Sequence, residues 1–223
     1  MAYCLASKGA ALMRRQDDIP FHRMVWSKSD RPVGRIFLEH ALMISEILVG
    51  VIKACEGSGG LVRYCSAGEL APHPNRTTNE AGTFRWSIHL GGRRIGLVPD
   101  AVFLLEYEGG GPEPERVVCF LEADRGTMPI RRQNPALSSF SQKLEAYAAL
   151  WKRGDFEKRF GTKRVAVHAI TTSEERAENL RKAIRSLPQG QGLFAVHSFL
   201  DPEAVTEAIL IHSLPRDRRC NIC

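Results

Sequence analysis

The chain lacks any run approaching ~18 uninterrupted apolar residues, so a membrane-spanning helix is not expected. A secretory leader is not expected either, since "MAYCLASKGAALMRR" has no basic stretch followed by an apolar one and a small-residue cleavage site. The expectation is a cytoplasmic protein with no membrane partner. Paired cysteine spacing is missing too. The six cysteines, at 4, 55, 65, 119, 220 and 223, are scattered along 223 residues. That excludes a disulfide framework and fits a reducing compartment. Cys220 and Cys223 form a C-x-x-C, but no strand-turn-helix follows and no second pair stands nearby. Neither a thioredoxin-like nor a zinc site is expected there, only tail thiols. Internal repeats are absent.

The length suits one α/β domain with an appendage, or at most two small domains, and 43% hydrophobic content supplies a real core. Lysine and arginine number 31 against 25 acids, a net charge of +6. Such a balance is compatible with nucleic acid without requiring it. The excess is clustered in "RPVGR", "GGRR", "RGTMPIRRQNP", "WKRGDFEKRFGTKR" and "RDRR". Each cluster is either solvated surface or a phosphate contact, and one directly follows an acidic doublet.

Along the chain, "AYCLASKGAALMRR" reads as a short strand and a helix starting near Ser7. A long helix follows from Pro32 to Cys55, stopped by "EGSGG". "LVRYCS" reads as a strand and "GELAPHPNRTTNEAG" as loop. "TFRWSIHL" and "RRIGLVPDAVFLLEY" flank Gly91-Gly92, a hairpin signal. "RVVCFLEA" is the next strand. From Asn134 to Arg153, Leu137, Phe140, Leu144, Tyr147 and Trp151 recur at helical spacing. "RVAVHAIT" reads as a buried parallel strand. Thr172 and Glu175 form a capping box before the helix "EERAENLRKAIRSL". "GLFAVHSFL" is a last strand, and a short helix with irregular chain is expected after Asp201. Strands followed by α/β units imply a mixed sheet flanked by helices.

The acidic doublet is the chemical signal. In "FLEADRGT", Glu122 and Asp124 end a strand one residue apart and so project to the same side. Such a pair is either a solvated strand end or a site that needs a cation or a proton between the charges. Asp100 opens the preceding strand, which would bring three carboxylates around one hard cation. A divalent ion of this kind stabilises charge in phosphodiester hydrolysis and lowers the pKa of the attacking water. Lys143 lies four residues before Tyr147 on the following helix, sharing its face. Lys143 either snorkels to solvent or turns toward the carboxylates.

Asp100, the doublet and Lys-x-x-x-Tyr, in this order of elements, resemble the PD-(D/E)xK nuclease superfamily. The phrases "VPDAVFLLE", "FLEADRGT", "SFSQKLEAYAALW" and "FGTKRVAVHAITTSEERAENL" are similar to the replication-relaxation proteins of plasmids and other mobile elements, and to related mobilisation proteins. The similarity runs from about Tyr3 to Leu180. It implies a restriction-endonuclease-like α/β core over 31–200, an N-terminal winged-helix remnant (wing strand and exit helix) over 1–30, and a tail over 201–223.

The function implied is DNA processing for a mobile element, with Mg²⁺- or Mn²⁺-dependent phosphodiester cleavage. The alternative is a catalytically silent DNA-binding or relaxosome accessory protein. DNA and other plasmid replication or mobilisation proteins are the implied partners. Asp100 and Glu122 would ligate metal, Asp124 would assist, Lys143 would orient or activate the water, and Tyr147 would hold the lysine or a phosphate. The superfamily's third-motif lysine is Asp124 here, so Lys143 is the natural substitute. RecB-like nucleases use Gln-x-x-x-Tyr and a first-helix histidine ligand, a place that His40 occupies, although a packed helix histidine is the plainer reading. Glu69 in "SAGEL" is either a further acid or plain surface. The recognition helix of the winged module is missing from the resemblance, which leaves Arg125, Arg131 and Arg132 as phosphate contacts that position DNA without reading sequence.

Overall fold

A computed structural model describes residues 35–67, 69–70, 84–108, 113–126, 128–133 and 138–214. The expected winged-helix remnant, Pro32, most of the 69–82 loop and the Cys220–Cys223 pair lie outside these residues. Among the described residues no helix is long and apolar enough to cross a membrane.

Helix α1 (Arg35–Gly57) buries Met43, Ile47, Val51 and Cys55, a stripe of every fourth residue that fixes its inward face. After β1 (Val62–Ser66) come β2 (Trp86–Leu90) and β3 (Arg93–Leu97), then β4 (Ala101–Tyr107) and β5 (Glu115–Asp124). Helix α2 (Phe140–Lys152), short α3 (Asp155–Phe160), β6 (Val165–Thr171), α4 (Glu174–Arg185), β7 (Phe194–Ser198) and α5 (Pro202–Ser213) complete the order.

The main sheet runs β1-β4-β5-β6-β7. β1, β4 and β5 pair antiparallel, whereas β5, β6 and β7 pair parallel through helical crossovers. It is the expected mixed sheet with helices on both faces. Strand β5 is buried from Val117 to Asp124. Its Val118 and Phe120 face α2 and α4, and its Cys119, Leu121 and Ala123 face α1 and α5. By the same alternation Glu122 and Asp124 face α2 and α4. The interior is therefore two apolar layers, with the acidic doublet at the end of the α2 side.

The run "RRIGLVPDAVFLLEY" does not stay in one sheet. Pro99, which has no N–H for a ladder, breaks it, so β3 pairs only with β2 and β4 joins the main sheet. Gly91 and Gly92, at φ 55° and 75°, form the tight hairpin turn that the sequence announces. The ribbon is anchored by Trp86, which packs edge-on against Phe120 and Phe156 at 5.6 and 5.5 Å between ring centres.

Helix α2 begins at Phe140 rather than Asn134. Ser139 is extended and its hydroxyl accepts from the Gln142 N–H, a cap that sets the start five residues into the periodic stretch. Residues 134–137 lie outside the described ones. Trp151, expected on the apolar face, is exposed, although Leu150 beside it in the last turn of α2 is buried. The cap of α4 is Ser173, which accepts from Arg176 N–H, not the Thr172–Glu175 box. The segment after residue 200, expected as a tail with a short helix, carries α5, which Asp201 caps and Pro202 opens. Its Val205 and Ile209 are buried in the layer that α1 covers. Helix contact there is close. A Cβ on Gly50 of α1 would sit 2.5 Å from Thr206 Oγ1 of α5.

Candidate functional site

Glu122 is drawn into the apolar layer by its place in β5 and is 2% exposed. The cost of burying a carboxylate is met by two donors on α2, one turn apart. Lys143 Nζ donates to Oε2 at 2.6 Å and Tyr147 OH donates to Oε1 at 2.7 Å. The face of α2 that carries Phe140, Leu144 and Tyr147 thus turns Lys143 inward, because Nζ finds a charge there that solvent would otherwise supply. Burial pushes the Glu122 carboxyl up to about 7, with Asp100 adding to the push and Lys143 and Tyr147 opposing it. For Lys143, burial pulls down, but Glu122, Asp100 and Asp124 together outweigh it and hold its pKa raised. Burial, then the Glu122 charge, lifts Tyr147 well above the usual phenol range, so it stays a donor.

Asp100 sits at the mouth of β4. Its N–H donates to Leu121 O and its Oδ2 accepts from Ala123 N–H at 2.8 Å. The free end, Oδ1, lies 3.3 Å from His40 Nε2 on α1. The structure therefore brings His40 to Asp100, and Lys143 and Tyr147 to Glu122. Asp124 is placed differently from its neighbour. Arg176, in the first turn of α4, grips both of its oxygens at 2.6 and 3.2 Å, and Gly126 N–H donates to Oδ1. Glu69 accepts from Ser66 N–H at the end of β1, a local turn bond.

Among the described residues no group of three or more His, Cys, Asp or Glu side chains is arranged to hold a metal ion. The donor chemistry at His40, Asp100 and Glu122, one nitrogen with carboxylate oxygens, suits Mg²⁺ or Mn²⁺. Their present bonds join them as pairs, and Glu122 Oε2 would have to exchange Lys143 for the ion. The residues match the cation in donor type, although they are not gathered around one position.

The three arginines are split. Arg125 is ion-paired with Glu39 of α1. Arg131 and Arg132 are exposed, donate to Ser186 Oγ and Ser138 O, and line a cleft of about 810 Å³. That cleft lies along the other side of α2, against Ser141, Gln142 and Glu145, away from the carboxylates.

Two features escaped the sequence reading. Arg176 was visible only as part of "TTSEERAENL", and no spacing rule ties it to Asp124, 52 residues earlier. The second is a buried polar group on the α1 and α5 side. His168 contacts His197 at 3.3 Å and Ser213 Oγ at 3.0 Å, and Ser213 meets Cys119 Sγ at 3.4 Å. Burial, then His197 and His212, holds His168 well below the usual imidazole range.

No curated protein matches the chain, and no solved structure does. A family does. The model built for replication-relaxation proteins matches residues 1–166, which takes in α1, the acidic doublet, Lys143 and Tyr147. With well over half its length matched, the chain belongs to the replication-relaxation family.

Proposed function

We propose that this protein processes DNA for a plasmid or other mobile element, and that its core is a PD-(D/E)xK-like nuclease that hydrolyses phosphodiester bonds. The family supports a DNA-processing role in replication or mobilisation. The topology supports the core, because a helix, three antiparallel strands, a helix and a parallel strand follow one another in the order of that superfamily. In this reading residues 1–30 are the closing part of a winged-helix module.

The observation that carries the reading is the Lys143–Glu122–Tyr147 arrangement beside Asp100 and His40. A bound Mg²⁺ or Mn²⁺, held by Asp100, Glu122 and His40, would supply Lewis acidity toward the phosphate and lower the pKa of a water. Lys143, which donates to Glu122, would supply a positive charge beside that water. Tyr147 keeps Glu122 from swinging away. Asp124, held by Arg176, fixes the end of β5 and adds negative potential that keeps Lys143 protonated. A cleavage assay on supercoiled, linear and single-stranded DNA with each cation tests this. Metal-dependent product is expected from at least one form.

A second reading is favoured by one observation. Both members of the doublet are already neutralised by internal cations, Lys143 and Arg176. A network so complete also serves a silent DNA-binding or relaxosome accessory protein, in which the acids hold the fold. Duplex binding without cleavage under any cation would select it.

A further inference from the structure

The β2–β3 ribbon stands apart from the main sheet, and its two faces have opposite chemistry. Trp86, Ile88 and Leu97 are buried against the core. The outward row consists of Ser87 and His89 on β2, paired across the ribbon with Gly96 and Arg94 on β3. All four are exposed, as are Arg85 before the ribbon and Arg93 at its tip. From Phe84 to Leu97 there is no acidic residue. Arg94 Nε donates to Ser87 Oγ at 2.7 Å, which lays the guanidinium along the outer face. At the base, Arg159 stacks over Trp86 at 4.5 Å and donates to Arg85 O, which adds a second basic side chain there.

Two further observations concern the same face. Leu90, at the end of β2, and the turn residue Gly91 border the cleft that Arg131 and Arg132 line, so this arginine pair lies near the ribbon tip. Glu145 is the one acid among the residues lining that cleft. Gly96 has no positive φ, and a Cβ there would meet nothing within 4 Å. The fold therefore does not require glycine in the middle of β3, where it weakens the strand. A glycine so placed is explained by another backbone approaching closely.

We propose that the outer face of the β2–β3 ribbon, with Arg131 and Arg132 beside it, is a contact surface for duplex DNA that engages the phosphodiester backbone. The inference rests on the DNA-processing reading and names where the duplex lies. A five-residue antiparallel ribbon is ~17 Å long, and a two-stranded ribbon fits the major groove, which is about 12 Å wide. The bare Ser87–Gly96 step lets a sugar-phosphate strand reach the ribbon backbone, while Arg93 and Arg94 at the tip and Arg131 and Arg132 across the turn neutralise phosphates on either side. The pairing is by charge and shape, so it tolerates changes of sequence.

The test is a salt series of binding to a two-turn fluorescent duplex, using the full chain. Arg93→Gln with Arg94→Gln should weaken binding on the order of tenfold and lower the slope of log K against log salt by about 1.8, or 0.9 for each lost phosphate contact. Arg93→Lys with Arg94→Lys should keep the slope, and Lys163→Gln, at an exposed site elsewhere, should behave as wild type. Gly96→Thr, which adds a strand-favouring side chain into open space, should keep the melting temperature yet lower DNA affinity. If wild type binds the duplex and both the arginine pair and Gly96→Thr leave affinity and slope unchanged, the ribbon surface is wrong while the DNA-processing reading stands. Single-strand binding as tight as duplex binding would overturn the duplex assignment. Absence of DNA binding in wild type would overturn both.

Discussion

Lys143 and Tyr147, one helical turn apart, each hold one oxygen of Glu122, at 2.6 and 2.7 Å. The lysine is part-exposed and the tyrosine is fully buried, so the carboxylate has an ionic partner toward solvent and a neutral one toward the core. Such a group can be freed on one oxygen without losing its position.

Lys143→Ala should therefore act on two levels. If the protein cleaves DNA, turnover should fall about 10²- to 10⁴-fold with cation affinity largely retained, the usual cost of a positioned charge-stabilising group. The fold should lose about 1–3 kcal/mol, because a buried acceptor is left with Tyr147 alone. Asp100→Asn should instead weaken cation binding and turnover together. Calorimetric titration of Mn²⁺ alongside the cleavage assay separates the two, and wild-type turnover in the lysine variant would falsify its role.

The Asp124–Arg176 pair should behave as a unit. Arg176→Met leaves a carboxylate that is 4% exposed without its cation and should cost about 3–5 kcal/mol in urea unfolding. Adding Asp124→Asn to that variant should recover part of the loss. Strictly additive single and double variants would show that the two side chains are not energetically coupled.

Two buried groups should give stability opposite pH dependences. Glu122 is raised from 4.5 to about 7, so between these values the folded chain keeps a proton that the unfolded chain has released. Its stabilisation is full below 4.5 and is lost as pH rises to about 7. Wild type should lose stability relative to Glu122→Gln over that span. His197 is lowered from 6.5 to about 4 by burial, then by His212 and Arg181. Its contribution is full above 6.5 and is lost as pH falls toward 4. Wild type should therefore lose more stability on acidification than His197→Gln. Thermal melts of the three proteins across this range check both signs, and parallel curves would contradict them.

Gly50→Ala should destabilise by about 1–3 kcal/mol, because the new methyl meets Thr206 Oγ1 at 2.5 Å. Thr206→Ala in the same chain should return most of the loss. Neutral melting for the single variant would mean that α5 shifts at no cost.

Much of the sheet was legible because buried strands announce themselves. The runs around Val118 and Val167 are apolar on both faces, and Gly91-Gly92 marks its hairpin. The Lys143–Tyr147 spacing pointed to one helix face, and that face does meet Glu122. What could not be read depends on contacts distant in sequence. Nothing local distinguishes Ser139 from the residues before it as the start of α2, since the apolar period runs through both. The period at Trp151 is intact, yet its side chain is exposed. Arg176 and Arg125 looked alike as basic residues near acids, but one closes on Asp124 and the other on Glu39. Pro99 was visible, but that the chain changes sheets there depends on Trp86 finding Phe120 and Phe156.

The contact of α1 with α5 has a bearing on synthesis. Gly50 meets Thr206 across nearly the whole described chain, and the layer holding Met43, Ile47 and Val51 is completed by Val205 and Ile209. On the ribosome, α1 must wait with its apolar stripe incompletely covered until α5 has emerged. A nascent chain stopped short of residue 202 offers that stripe to chaperones or to a neighbouring polysome chain. Emergence of α5, rather than growth of the sheet, is the step at which this layer becomes safe from aggregation.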